Sequence, residues 1–275
     1  MRLCILGPLE IDDDTLGRRI AVTGLKRPAL LATLIVRAGR TVSIERLVQE
    51  LWGEDPPANA VNALQAHIKR LRRLIGPDRI ATSAPGYRLT AGPGGTDAEL
   101  FTAQVKAART VAASDPGSAV PLLREALALW RGPALDGCVS GDICRAEAVV
   151  LEESRLAAME TLYDASLRAG RPEEIIGELE ETLAAYPLRE RVYGQLMVAL
   201  SRAGRQSEAI GVYDRARRRL LEDLGVEPGP ALRATLQSVL ADSVPASPAE
   251  LGAELAALQR RIEELTRQLR TLNAS

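Results

Sequence analysis

From Val61 to Gly76 the chain reads VNALQAHIKRLRRLIG, and this segment limits the fold more than any other. Coiled as a helix at roughly 100° per residue, it gathers Val61, Leu64, Ile68, Leu71 and Ile75 on one side. Asn62, Ala66, Lys69, Arg70 and Arg73 fall on the other. No acidic residue occurs between Pro56 and Pro77, while Lys69, Arg70, Arg72 and Arg73 bring four positive charges. A helix with an apolar back and a basic, acid-free front can sit on a core and press into a groove of DNA. A solvated surface helix with a charge run would carry the same pattern, so the flanking segments have to decide.

Met1 to Ile11 is β-prone, interrupted at Gly7-Pro8, and Arg19 to Thr23 reads as a second short strand after the Asp12–Asp14 turn. Lys26 to Ala38 is an apolar-periodic helix closed by Gly39. Ser43 is placed to cap a helix that runs to Trp52 and stops at Gly53. Glu54-Asp55-Pro56-Pro57 makes a stiff acidic loop ahead of the basic helix. Beyond Gly76-Pro77, Arg79–Ser83 and Tyr87–Thr90 flank a Pro85-Gly86 turn as a hairpin. Two helices followed by a groove-reading helix and then a hairpin is the plan of a winged helix-turn-helix.

The segments ERLVQELWG (Glu45 to Gly53), HIKRLRRLIG (His67 to Gly76) and GYRL (Gly86 to Leu89) resemble the winged helix of the OmpR type. Ala91 to Thr96, AGPGGT, reads as a flexible Gly/Pro linker and a domain boundary. The rest reads as helix: Asp97–Ala113, Gly117–Trp130, Ile143–Ala169, and then a repeat. Gly170-Arg171-Pro-Glu-Glu-Ile-Ile returns as Gly204-Arg205-Gln-Ser-Glu-Ala-Ile, an offset of 34 residues and the tetratricopeptide period. An irregular helical bundle is the alternative. The expected fold is mostly α with small β: a winged helix over 1–94, a tetratricopeptide-like all-α domain over 97–243, and a coiled-coil helix over 249–273. In that last helix Leu251, Leu255, Leu258, Ile262, Leu265, Leu269 and Leu272 recur at alternating steps of four and three, a heptad seam. It suits dimerisation, or packing on its own domain.

A winged helix joined to such a helical domain resembles the Streptomyces antibiotic regulatory protein family, whose second part is the bacterial transcriptional activation domain. The resemblance runs from Met1 to about Asp242 through LGPLEI, ALQAHIKRLRRLIG, ALALWRGPAL, EAVVLEESRLAAME and the Tyr213–Leu236 stretch. The chain departs from it between Cys138 and Cys144. The resemblance implies an activator of a secondary-metabolite gene cluster that binds direct repeats near the −35 element and recruits RNA polymerase through sigma. Arg70 would read a base and Ala66 would meet a thymine methyl, with Asn62 on the same arc. His67, Lys69, Arg72 and Arg73 would touch phosphates, helped by Trp52 and Thr82. Glu54 and Asp55 would face sigma. A homodimer on double-stranded promoter DNA is expected. A tetratricopeptide-like interaction scaffold that does not bind DNA is the alternative.

Charge supports the division of labour. Residues 1–94 carry fourteen Lys or Arg against nine Asp or Glu, a net of +5, and the remainder carries 21 against 27, a net of −6. Three cysteines without a CxxC pair and a single histidine argue against disulfides and metal sites. No GxxxxGK[ST] phosphate loop occurs, no membrane-length apolar run, and no acid–base pair suited to catalysis. The expectation is a cytoplasmic, nucleoid-associated protein that is no enzyme and needs no cofactor.

Overall fold

The computed structural model describes residues 1–13, 17–92 and 94–241. The chain parts into two compact units, Met1–Ala169 and Gly170–Ser275. It is mostly helical with two small sheets, the class expected from its sequence.

The first unit opens with an antiparallel sheet of β1 (Arg2–Cys4), β2 (Glu10–Asp13) and β3 (Arg18–Ala21), paired in that order. Leu3 stands opposite Ile11, and both are completely buried on the face that the strand period turns inward. α1 (Arg27–Val36) carries Pro28 in its first turn, where a missing N–H costs nothing. α2 (Ile44–Trp52) starts as its sequence suggests: the Ser43 hydroxyl oxygen accepts the Arg46 N–H at 3.1 Å. α3 (Ala60–Ile75) is the basic helix.

The hairpin after α3 is present as β5 (Ile80–Ser83) and β6 (Gly86–Leu89). A third strand joins it that the sequence did not reveal. β4 (Thr41–Ser43) pairs antiparallel with β6, Val42 opposite Tyr87. Three residues are too few to show a period. The pairing depends instead on Gly86, where a Cβ would lie 1.8 Å from the Val42 carbonyl oxygen.

Ala91–Thr96 does not behave as the flexible linker its composition suggests. The Leu3 N–H donates to the Gly95 carbonyl at 2.8 Å, and Thr96 bridges to Leu3. Next to them the buried Asp97 carboxylate accepts the N–H groups of Ile5 and Leu6 at 2.7 and 3.1 Å. Arg131 reaches the same carboxylate at 3.3 Å and Glu10 at 2.6 Å. α4 (Asp97–Ser114), α5 (Pro116–Leu127) and α6 (Asp142–Arg168) then complete the unit. One hydrophobic core runs through it, from Leu3, Leu31, Leu64 and Ile68 to Phe101, Trp130, Cys144 and Ala158. The first unit thus spans both sides of residue 94, itself exposed, and its core continues from the winged helix into α4–α6.

The second unit contains α7 (Ile176–Ala185), α8 (Glu190–Arg202), α9 (Gln206–Leu224) and α10 (Pro230–Ala241). The two glycines of the 34-residue repeat play one role. Gly170 and Gly204 turn the chain at φ of 73° and 74°, a left-handed conformation that a Cβ disfavours. Leu179, Leu183, Leu196, Leu200, Ala209, Val212, Ala216 and Leu220 are buried within this unit. The heptad Leu251, Leu255, Leu258, Ile262, Leu265, Leu269 and Leu272 lies outside the described residues.

Candidate nucleic-acid interface

α3 buries Ala60, Leu64, Ile68, Leu71 and Ile75. Val61, expected on that face, is 46 % exposed, and Ala60 replaces it. The stripe is centred between Leu64 and Ile68, and Ala60 and Val61 stand roughly 50° to either side of that centre. Helical spacing cannot choose between them; the packing of the helix does.

The opposite arc is exposed along its whole length: Asn62, Ala66, Lys69, Arg70 and Arg73. Gln65 belongs with them, a residue the sequence reading passed over, although it stands one turn before Lys69. Its amide can form the paired hydrogen bonds that recognise adenine. Gln65, Lys69, Arg72, Arg73 and Tyr87 line a hollow of about 580 Å³ between α3 and the β5–β6 wing.

Arg72 is held within the protein. Its Nε donates to the Ile80 carbonyl at 2.8 Å and its Nη2 to the Thr82 hydroxyl at 2.8 Å. The guanidinium lies 5.8 Å from the centre of the Tyr87 ring. Arg72 and Thr82, both expected at phosphates, thus meet each other and brace the wing against α3.

His67 lies on the other flank of α3, half-buried, with Nδ1 buried and without a partner among the described residues. Burial pushes its pKa below the usual 6.5, and the positive charges of Arg70 and then Arg27 push the same way. Arg27 starts α1, forty residues earlier, and nothing in the sequence joins it to the basic helix. Trp52 is partly buried against the core at the end of α2. After it Gly53, at φ 62°, turns the chain into the loop where Glu54, Asp55, Pro56 and Pro57 are all exposed. Lys26 Nζ donates to the Leu51 carbonyl at 2.5 Å and holds the base of that loop against the start of α1.

Elsewhere the chemistry is sparse. Among the described residues no group of three or more His, Cys, Asp or Glu could hold a metal ion, and no helix is long and apolar enough to cross a membrane. Cys4, Cys138 and Cys144 are free and buried, their thiols pushed up to about 11, 12 and 11, in each case chiefly by burial.

A basic helix braced to a β-wing and joined to stacked helices defines a winged-helix transcriptional regulator. Comparison with known proteins agrees. Residues 18–89 match the model of the C-terminal domain of transcriptional regulatory proteins, and residues 96–240 match that of the bacterial transcriptional activator domain. The chain is 42% identical over 245 residues to the transcriptional regulator RedD of Streptomyces coelicolor, covering 86% of this chain and 69% of RedD. It is 33% identical to the regulatory protein DnrI of Streptomyces peucetius, covering 87% of this chain and 92% of DnrI. Against the regulatory protein AfsR of Streptomyces coelicolor, 39% identical, it covers 87% of this chain and spans only 24% of AfsR. A structure of Mycobacterium tuberculosis EmbR in complex with a low-affinity phosphopeptide superposes with a TM-score of 0.82 at 31% identity, covering 96% of this chain and 70% of that one. The chain belongs to the Streptomyces antibiotic regulatory protein family, a family of transcriptional regulators and not of enzymes.

Proposed function

We propose that the chain is a sequence-specific activator of a secondary-metabolite gene cluster, and that α3 enters the major groove of promoter DNA. The acid-free exposed arc of α3 beside the wing carries this reading. Arg70 offers a guanine a bidentate fork, worth about 1–3 kcal/mol of discrimination, and Ala66 offers a methyl to thymine. Asn62 and Gln65 are further base readers. Lys69, Arg73 and His67 neutralise phosphates, and Trp52 and Thr82 add hydrogen bonds at the two edges. Arg72 acts mainly through the wing it holds.

The exposed Glu54 and Asp55 face sigma, whose DNA-holding surfaces are basic. Two copies occupy direct repeats near the −35 element, assisted by the heptad at Leu251 to Leu272. Paired tails and head-to-tail repeats are reconciled at the Pro245-Ala-Ser-Pro248 stretch of the sequence, because Ala91–Thr96 is tied to β1 at Gly95 and Thr96.

Binding to a footprinted promoter duplex at several salt concentrations tests the reading. Arg70→Ala should relax sequence preference. Lys69→Ala should weaken every duplex alike and lower the salt slope by about one. Glu54→Ala with Asp55→Ala should spare affinity and lower transcription in a purified system. Deleting residues 249–275 should weaken cooperative filling of two repeats and leave single-repeat binding intact. No salt-dependent shift of any duplex would return the chain to the interaction-scaffold reading.

A further inference from the structure

α4 and α6 both pack on α5 but meet each other little, and part along one edge. The groove between them has a volume of about 550 Å³. Its floor is apolar, built from Phe101, Val105 and Ala157. The Phe101 ring is fixed edge-on against Trp130, with centroids 5.5 Å apart, so the floor is rigid. Lys106 and Arg109, three residues apart on α4, stand at one lip. Val150, 57 % exposed, stands one turn before Ser154 on the same face of α6.

Three observations single this groove out. None of its lining residues is acidic, although the chain beyond residue 94 has a net charge of −6. Among the described residues neither cation has a carboxylate partner; Arg109 only donates to the Ala157 carbonyl at 3.4 Å. The hydroxyls at the rim spend their protons on their own helices, Thr102 on Ala98, Thr110 on Lys106 and Ser154 on Val150. The strong donors left for a ligand are therefore two cations at one lip above a fixed apolar floor. The volume is that of a small-molecule site.

We propose that this groove binds a small amphiphilic anion, an aromatic or acyl body carrying one carboxylate or sulfonate, with the charge between Lys106 and Arg109 and the body on Phe101 and Val105. The proposal does not depend on the DNA-binding reading. Titration of the full chain with anilinonaphthalene sulfonate, followed by fluorescence, tests it. One molecule should bind per chain. Lys106→Gln with Arg109→Gln, both exposed positions, should weaken binding at least tenfold with an unchanged circular dichroism spectrum. Ala157→Leu, which fills the floor, should also remove it. Inorganic phosphate alone and neutral anilinonaphthalene should each bind at least tenfold more weakly than the sulfonate. An unaltered affinity in the double variant places the probe elsewhere and overturns the proposal. So does equal binding of phosphate, which would make this a simple anion site, or of the neutral ring, which would make it a simple apolar one.

Discussion

The Glu50 carboxylate, in the last turns of α2, accepts the Ile143 N–H in the first turn of α6 at 3.0 Å. The same side chain, 2 % exposed, pairs with Arg46 at 2.6 Å. A carboxylate from the helix-turn-helix thus caps a 27-residue helix that begins 92 positions later, and it lies at the end of that helix where the dipole favours negative charge. Gly141 makes room for it, since a Cβ there would fall 2.0 Å from Glu50 Oε2.

Removing that cap should cost stability throughout the first unit. Glu50→Ala leaves the Ile143 N–H buried without an acceptor and should lower stability by about 1–3 kcal/mol. Glu50→Gln keeps an acceptor, loses only the charge pairing with Arg46, and should cost less. Gly141→Ala should resemble Glu50→Ala, because it displaces the carboxylate. Urea unfolding of the three variants checks the order; equal stability in Glu50→Ala and the parent chain would show that the cap contributes nothing.

Arg72 should prove to be a brace. Arg72→Ala frees the wing from α3 and should cost about 1–2 kcal/mol of stability, through two charge-assisted hydrogen bonds at a partly exposed site. Affinity should fall for all duplexes while the salt slope stays that of the parent chain, unlike Lys69→Ala. A slope lowered by one in Arg72→Ala would make it a phosphate ligand after all.

His67 should link DNA affinity to pH. Its pKa in the free protein lies below 6.5, so the imidazole is neutral at pH 7. The unfolded chain takes up the proton first as the solution is acidified. The contribution of His67 to stability is therefore present above pH 6.5 and is lost as pH falls through its folded pKa. Nearby phosphates favour the imidazolium, so DNA binding should tighten between pH 7.5 and 5.5 with uptake of up to about one proton. His67→Gln should remove that increment, measured by anisotropy at constant ionic strength.

The three thiols should be inert in the native protein. At pH 8 the raised pKa leaves about a hundredfold less thiolate than an ordinary cysteine at Cys4 and Cys144 and about a thousandfold less at Cys138, before burial slows access further. Ellman's reagent should therefore find none of the three rapidly reactive, and all three after unfolding. Folding holds these protons more tightly than the unfolded chain, whose thiols ionise near 9.0. Stability is then complete below pH 9 and falls as pH rises toward 11 and 12. Replacing Cys138 with Ala should reduce that fall.

Much of the candidate interface's helix was legible in one dimension, because a helix converts spacing into faces. Leu64, Ile68, Leu71 and Ile75 lie within a narrow arc, and Asn62, Ala66, Lys69, Arg70 and Arg73 had to emerge opposite. The Ser43 cap and the turns at Gly170 and Gly204 were equally local, since each depends on one residue's own backbone or side chain. What spacing leaves balanced, only packing decides. Ala60 and Val61 were equivalent by angle, and the core took the smaller one. Arg72 looked like any other cation of the arc until the chain folded back and set Ile80, Thr82 and Tyr87 beside it. Arg27 beside His67, β4 on β6, Asp97 under Ile5 and Leu6, and Glu50 at Ile143 all join residues some forty or more positions apart. A glycine-rich stretch such as Ala91–Thr96 has the local freedom of a linker, and only the pairing that the distant β1 offers to Gly95 and Thr96 ties its end down and buries it.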